Sequence, residues 1–250
     1  MDMKEQARRG FGSGADRYHR ARPSYRPEAL AYLRDRLRLG PGSAVLDLAA
    51  GTGRMTAELA ALGGDVTAVE PSEAMRATFA AELPEIALYD GTAEEIPFPD
   101  ASFDTVVVAQ AFHWFDGPAA LREIARVLRP GGGLALVWNE RDASDPEASA
   151  LGSAVEWKQF QPYDVGRDFR PDLDASGRFT PAQRQAFPWT EILTHEQLVD
   201  RIATFSYVNA MSEADRAGFL ARLREHLASR PDPLHIPYLT DTFVAHKLDG

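Results

Sequence analysis

Two carboxylates and two glycines lie in the chain where they could bind one ligand together. Asp47 stands in a short apolar stretch, and Gly51 and Gly53 follow it within the run VLDLAAGTGRMT. Glycine permits a sharp turn and leaves room for a ligand because it has no Cβ atom. Glu70 ends a second apolar stretch, where a carboxylate can accept hydrogen bonds from both hydroxyls of a ribose. These residues predict a nucleotide-type site.

The charge of the residues at this site narrows the range of ligands that could bind. A pyrophosphate would be repelled by a carboxylate at Asp47, directly before the turn, whereas a cationic ligand would be attracted. S-adenosyl-L-methionine (SAM) has a ribose, no pyrophosphate, a sulfonium and an ammonium group, so it fits the residues. The small Ala49, together with Thr52 and Pro71, adjoins these positions, and we expect all three to contact the same ligand.

The elements that position these residues alternate between strands and helices. The apolar pattern predicts strands at 45–48, 65–70, 86–89, 105–109 and 134–138, and the partial alternation of 235–247 predicts a final antiparallel strand. Thr105–Ala109 is apolar without alternation, which is typical of a strand buried on both faces of a parallel sheet. The expected fold is therefore α/β, a Rossmann-like doubly wound sheet of about seven strands, mostly parallel with an antiparallel C-terminal strand.

Helices are predicted between these strands and after them. Pro27–Leu39 is followed by Gly40-Pro41-Gly42, a second helix follows the glycine turn, a third begins at Pro71-Ser72, and a fourth covers Leu121–Leu128. Capping-box patterns predict three further helix starts, at Thr180, Thr194 and Ser212.

The run DLAAGTG at 47–53 resembles the D-x-G-x-G-x-G signature of class I SAM-dependent methyltransferases, with Ala49 in place of the first glycine. The runs QAFHWFD (110–116) and LRPGGGLALVW (128–138) narrow the resemblance to small-molecule methyltransferases of the trans-aconitate and ubiquinone/menaquinone-biosynthesis types. The resemblance implies SAM as cofactor and methyl transfer to an oxygen, nitrogen or carbon atom of a small molecule, such as a carboxylate or a hydroxyl compound.

The same resemblance assigns roles to residues after the third and fourth strands. Thr92, Ala93 and Glu94 stand in the loop that holds the adenine, with Ala93 supplying a backbone amide, and Gln110 adjoins the cofactor. His113 follows the fourth strand and is the candidate catalytic base, in a wall between methyl donor and acceptor. The alternative for His113 is an aromatic plug that closes the edge of the sheet.

The N-terminal residues 1–26 resemble the lid that folds over the cofactor in such enzymes. Tyr18 would then cover the ligand and Arg22 would meet a carboxylate; the alternative is a solvated leader. We expect the methyltransferase domain to span 27–250, with a substrate-covering insert at about 139–180.

Composition excludes several classes of function. The net charge of −10 argues against a nucleic-acid partner, and the lack of cysteine excludes disulfides and thiol catalysis. The histidines are scattered, so we predict no metal site. No apolar stretch is long enough to cross a bilayer, and the first residues lack the apolar core of a signal peptide, which predicts a cytoplasmic monomer or homodimer that acts on a small-molecule acceptor.

Two other functions share some of these features. A SAM-binding regulator without catalytic activity would keep Asp47, Gly51, Gly53 and Glu70, because these residues concern binding alone. An NAD-dependent oxidoreductase would need a third glycine where Thr56 stands, and it is the less favoured alternative.

Overall fold

One seven-stranded sheet organises the chain in the computed structural model, which describes residues 22–146, 148–149, 166–209 and 211–249. Its strands are β1 (Ala44–Leu48), β2 (Asp65–Val69), β3 (Ala87–Tyr89), β4 (Phe103–Ala109), β5 (Leu128–Arg141), β6 (Gln183–Leu193) and β7 (Leu234–His246). The strand order is β3-β2-β1-β4-β5-β7-β6. β1 to β5 pair in parallel, and the C-terminal strands run antiparallel. The predicted Rossmann-like α/β fold is confirmed.

The helices of the described residues are α1 (Pro27–Leu37), α2 (Arg54–Ala61), α3 (Glu73–Glu82), α4 (Gly117–Val127), α5 (Arg170–Ala175), α6 (His195–Ala203), α7 (Ser206–Asn209) and α8 (Glu213–Leu227). Side chains cap several of them as the sequence predicts. Ser72 accepts a hydrogen bond from the amide of Met75 at the start of α3, and Thr194 forms a full capping box with Gln197 at the start of α6. The helix start predicted at Ser212 is also confirmed, at α8.

The helix start predicted at Thr180 is wrong. Thr180 pairs with His246 instead, donating its amide to the His246 carbonyl and accepting the His246 amide on its hydroxyl. The following residues form β6, in which alternate positions from Phe187 to Leu193 are the more buried ones. This period of two is a strand signal, and it outweighs a capping pattern that lacks a helical apolar face behind it.

The structure divides into two units, each with its own core. The sheet unit comprises 24–139, 168–187 and 240–250. One core cluster in it joins α1, β1 and α2 through side chains that include Leu33, Val45 and Leu59, each fully buried. The helical unit comprises the described parts of 1–23, 140–167 and 188–239, and its core includes Ile202, Leu223 and Leu227 from α6 and α8.

The parallel strands of the sheet unit end at one edge of the sheet. The residues that follow β1, β2, β3 and β4 along this edge are Ala49, Glu70, Asp90 and Gln110. In open α/β sheets the crevice outside the carboxyl ends of the strands is where ligands bind. The fold therefore brings the predicted site residues of four separate segments to one place.

Candidate cofactor and methyl-transfer site

Asp47 is fully buried near the end of β1. One carboxylate oxygen, Oδ2, accepts a hydrogen bond of 2.5 Å from the Thr56 hydroxyl on α2, while Oδ1 has no partner among the described residues. Burial raises the pKa of Asp47 from 3.8 to about 7; the Thr56 hydrogen bond opposes this rise and the nearby carboxylate of Glu70 adds to it. A buried carboxylate with an unsatisfied oxygen is costly unless a cationic or hydrogen-bonding group meets it.

Glu70, directly after β2, connects the glycine turn to the start of α3. Its Oε2 accepts the amide of Gly51 at 2.9 Å and its Oε1 accepts the amide of Ser72 at 2.8 Å. Burial raises the pKa of Glu70, and these two amide hydrogen bonds oppose the rise. Each carboxylate oxygen has a second lone pair, so the same group can still accept hydrogen bonds from a ribose.

The two glycines of the turn serve different purposes. Gly51 has a φ of +59°, and a Cβ built on it would have no heavy atom within 4 Å, so open space lies on that side. At Gly53, with a φ of +87°, a Cβ would lie 2.6 Å from Leu83 Cδ1 and 2.9 Å from Phe79 Cδ2. Both glycines thus have the positive φ of the predicted sharp turn; Gly51 faces open space, whereas a side chain at Gly53 would clash with Leu83 and with Phe79 of α3.

The residues that are predicted to contact the adenine follow β3, and they differ in burial. Ala93 is buried, Thr92 is partly exposed, and Glu94 Oε1 accepts the Asp116 amide at 2.8 Å just before α4. Near the glycine turn, Thr52 is buried and Pro71 is exposed.

The segment after β4 turns sharply at Gln110. This residue has a φ of +60°, and its side-chain amide donates to the Asn139 carbonyl at 3.1 Å. Phe112 then enters the core, where its ring lies 5.7 Å from Phe115, while His113 is half-buried with its ring centroid 4.8 Å from that of Trp114. Phe112 is thus the buried ring of this run, while His113 and Trp114 are half-buried.

The chain before α1 reaches the same edge of the sheet. The Ser24 carbonyl accepts the Asn139 side-chain amide at 3.2 Å, and its hydroxyl accepts Arg54 Nη1 at 3.4 Å. Tyr25 is buried in the core. In the helical unit, the Arg22 guanidinium lies 4.5 Å from the ring centroid of Phe205. Tyr18 lies outside the described residues.

Comparison with known proteins gives the family. Residues 46–136 match the model of a methyltransferase domain. The chain is 42% identical to a methyltransferase of Mycobacterium bovis over 240 residues, which cover 92% of each chain. The chain belongs to the methyltransferase family. The prediction of a class I SAM-dependent methyltransferase, with SAM as cofactor, is confirmed.

Two further proteins share part of the sequence or the fold with this chain. A demethylmenaquinone methyltransferase of Mycolicibacterium vanbaalenii is 44% identical over 105 residues, 41% of this chain and 45% of that one. The structure of Haemonchus contortus phosphoethanolamine N-methyltransferase 2, solved with phosphomonomethylethanolamine and S-adenosylhomocysteine, superposes with a TM-score of 0.59 at 19% identity, covering 95% of this chain and 58% of that one. This second likeness shows the fold alone.

Two negative findings concern the part of the methyltransferase that the structure describes. Across residues 22–146, 148–149, 166–209 and 211–249, no group of three or more histidine or carboxylate side chains is placed to hold a metal ion. Within the same ranges, no helix is long and apolar enough to cross a membrane.

The methyltransferase has site features that sequence reasoning missed. In the glycine pattern Thr56 is only a residue in place of a third glycine, yet its hydroxyl binds Asp47; the signal for this contact is its place as the third residue of α2, on the face toward the sheet. Arg126 on α4 binds the backbone carbonyls of Ile96 and Phe98, which follow the predicted adenine contacts, and no spacing in the sequence indicates this.

Ala49 is the position where the methyltransferase departs from the family signature, and its φ of +59° is the conformation that glycine favours. The left-handed region costs a residue with a Cβ about 1–2 kcal/mol, and glycine costs roughly 0.5–1 kcal/mol in backbone entropy. We therefore expect Ala49→Gly to raise the free energy of unfolding by about 0.5 kcal/mol, measured by urea denaturation. Ala50→Gly, at a residue without positive φ, is the control and is expected to destabilise; a loss of stability in both variants would contradict the strain at Ala49.

Proposed function

We propose that this methyltransferase binds SAM across the carboxyl ends of β1, β2 and β3 and transfers its methyl group to a small-molecule acceptor. The observation that carries the proposal is the buried Asp47 carboxylate, whose Oδ1 has no partner among the described residues and which lies beside the open turn at Gly51. A cationic ligand would satisfy that charge.

The residues present fit the parts of the cofactor. In our proposal Asp47 favours the positively charged methionine end, and Glu70 accepts hydrogen bonds from the ribose. Ala49, Gly51, Thr52, Gly53 and Pro71 line the turn, and Thr92, Ala93 and Glu94 meet the adenine. Gln110 adjoins the cofactor from the end of β4. Because β1, β2 and β3 are neighbours in the sheet, these contacts follow one another along its edge in the order that the ligand requires.

The chemistry asks the protein chiefly to align two reactants. SAM supplies an electrophilic methyl group on a sulfonium, a good leaving group. The protein positions the acceptor in line with that bond, and alignment alone can contribute effective molarities of about 10⁵–10⁸ M. For an acceptor that must lose a proton, His113 is the proposed base; an acceptor already ionised at neutral pH, such as a carboxylate, needs none.

Residues 1–26 complete the proposal as a lid. Ser24 lies at the carboxyl edge of the sheet through its contacts with Asn139 and Arg54, which supports entry of the N-terminal segment at this point. By the resemblance, the lid would bring Tyr18 over the cofactor; the Arg22 guanidinium lies 4.5 Å from the Phe205 ring centroid within the helical unit, which does not support its predicted contact with the ligand carboxylate. The insert at about 139–180 is proposed to cover the acceptor; its residues 147 and 150–165 lie outside the described residues.

The direct test is methyl transfer from radiolabelled SAM to a panel of hydroxy acids, carboxylic acids, phenols and amines. Glu70→Gln should weaken SAM binding by about tenfold or more in a calorimetric titration, because it removes a charged acceptor whose hydrogen bonds are worth roughly 1.5–3 kcal/mol each.

Glu85→Gln is the control for this variant, since Glu85 is an exposed carboxylate between α3 and β3. Its affinity for SAM should equal that of the parent protein. An unchanged affinity in Glu70→Gln would overturn the ribose role of Glu70. Failure of the parent protein to bind SAM at all would overturn the proposed site.

A further inference from the structure

The side chain of Arg126, in the last turn of α4, binds the irregular segment between β3 and β4. Its guanidinium donates five hydrogen bonds of 2.7–3.0 Å. Two go to the carboxylate oxygens of Glu123, one goes to Asp100, and two go to the backbone carbonyls of Ile96 and Phe98. A planar guanidinium with donors in fixed directions can hold several acceptors at once, which an ammonium group cannot do.

Glu123 and the backbone of α4 bind the same segment in return. Glu123 Oε2 accepts the Ile96 amide at 3.0 Å, so both backbone polar groups of Ile96 are held by this pair. The Ala101 amide donates to the Arg126 carbonyl at 3.0 Å. The pKa of Glu123 is lowered chiefly by its hydrogen bonds with Arg126, so the carboxylate stays charged at neutral pH.

The opposite end of α4 provides a second attachment. Glu94 Oε1 accepts the Asp116 amide at 2.8 Å, one residue before the helix begins. The segment 94–101 is thus fastened to α4 near both helix ends. It contains no helix or strand of the sheet unit, so its order depends on these bonds to α4, together with the short backbone bond from Phe98 to Ile96 and the buried Ile96 side chain.

This segment follows β3. In the sheet, β2 lies between β3 and β1. If the charged end of the ligand lies at the turn after β1 and its ribose lies at Glu70, then its base lies at the end of β3. Order in the segment therefore bears on recognition of the base, because a binding surface that is already ordered does not lose that conformational freedom when the ligand binds.

We propose that Arg126, together with Glu123, is a positioning pair that holds residues 96–101 and thereby pre-orders the preceding residues 92–94 for recognition of the adenine of SAM. The inference rests on the proposed function, and it adds a residue that does not itself touch the cofactor. Removing the guanidinium leaves Thr92, Ala93 and Glu94 in the chain but frees the residues that directly follow them.

Arg126→Ala is therefore expected to raise the dissociation constant for S-adenosylhomocysteine by about tenfold, measured by calorimetry, since two carbonyls and two carboxylates lose a charged donor. Arg126→Lys keeps the charge without the planar group and should recover only part of the affinity. Arg122→Ala is the matched control: Arg122 lies one turn earlier on α4 and is exposed, and its side chain bonds to the Pro118 carbonyl. The affinity of this control should stay within about twofold of the parent.

A readout specific to the base separates positioning from general stability. S-inosylhomocysteine differs from S-adenosylhomocysteine only in the base, so the ratio of their dissociation constants measures base recognition. We expect this ratio to fall toward one in Arg126→Ala, with faster amide hydrogen exchange confined to about residues 92–101. The KM for SAM should rise while kcat at saturating SAM is retained.

Two results would overturn the positioning role. One is an unchanged affinity in Arg126→Ala. The other is a weaker affinity with the parent's base ratio and uniformly faster exchange across the sheet unit, which indicates general destabilisation. If Arg126→Ala does not fold, Glu123→Gln decides: a rise of about threefold or more in the dissociation constant supports the role, and no rise overturns it. Failure of the parent protein to bind S-adenosylhomocysteine would instead overturn the proposed function.

Discussion

Replacing His113 by glutamine is expected to lower kcat by about 100-fold or more while the affinity for SAM stays unchanged. His113 lies in the single turn Phe112–Trp114 directly after β4, at the edge where the proposed site is built. Phe112 is buried and packs against Phe115, whereas His113 is half-buried. Phe112 is therefore the residue of this turn that packs in the core, and His113 is the one we propose as the base.

The pH dependence of the reaction distinguishes a base from a packing residue. An imidazole must be neutral to accept a proton, so a base at His113 gives a rate that falls toward acid pH, and His113→Gln should abolish that limb. The measurement is kcat against pH with the best acceptor from the panel. His235→Gln is the control, because it makes the same substitution at an exposed site.

Two outcomes would contradict the base. A fall in thermal stability with kcat retained would assign His113 to packing with Trp114. A kcat that is unchanged for an acceptor with a hydroxyl would show that the proton leaves by another route. With a carboxylate acceptor no dependence on a base is expected, so the comparison requires the hydroxyl compound.

The strands of the sheet and the site residues beside them could be predicted wherever the apolar pattern of the sequence is local. Asp47, Gly51 and Glu70 each stand next to a strand whose apolar residues identify it, and the rule that parallel strands share an edge then brings them together. The parallel strands β1 to β4 were found for the same reason, since each is a short apolar run with a turn signal after it.

The strands β5 and β6 show what such patterns miss. β5 begins at Leu128, six residues before the strand predicted at 134–138, and its first pairing with β4 is irregular: two steps along β4, from Phe103 to Thr105, match five along β5, from Leu128 to Gly133. A local pattern does not encode this irregular pairing, because the partner strand decides it. β6 was hidden by a threonine-proline pair that is equally compatible with a helix start.

Contacts between distant segments were the hardest to predict. Arg126 and Ile96 are separated by 30 residues, and nothing in the helical pattern of α4 distinguishes Arg126 from the exposed Arg122. Similarly, Thr56 binds Asp47 only because α2 packs its first turn on β1. Such pairs depend on how elements pack, which residue spacing along one element does not specify.

Asp47→Asn is expected to make the ligand-free protein more stable at pH 8 and to weaken its binding of SAM. Burial raises the pKa of Asp47 from 3.8 to about 7, so the folded protein keeps a proton that the unfolded chain releases between these values. In the parent protein, the contribution of Asp47 to stability is thus fully present below about pH 4 and is lost as pH rises toward 7 and above.

The size of the change in stability follows from the shift in the pKa of Asp47. About three pKa units at about 1.4 kcal/mol each give up to about 4 kcal/mol of lost stability at pH 8. Asparagine does not titrate, and its side-chain oxygen can still accept the Thr56 hydroxyl. The free energy of unfolding of Asp47→Asn should therefore exceed that of the parent at pH 8, and the difference should shrink toward pH 4. Urea denaturation at several pH values measures the free energies of unfolding of the parent and of Asp47→Asn.

Binding of SAM should respond in the opposite direction. A cationic ligand favours the ionised carboxylate, so the affinity of the parent should rise between about pH 6 and 8, whereas that of Asp47→Asn should stay low and flat. Asp65→Asn, at an exposed carboxylate at the start of β2, should change neither quantity. If Asp47→Asn is less stable than the parent at pH 8 and binds SAM as tightly, then Asp47 is a structural acceptor for Thr56 rather than the charge that selects the ligand.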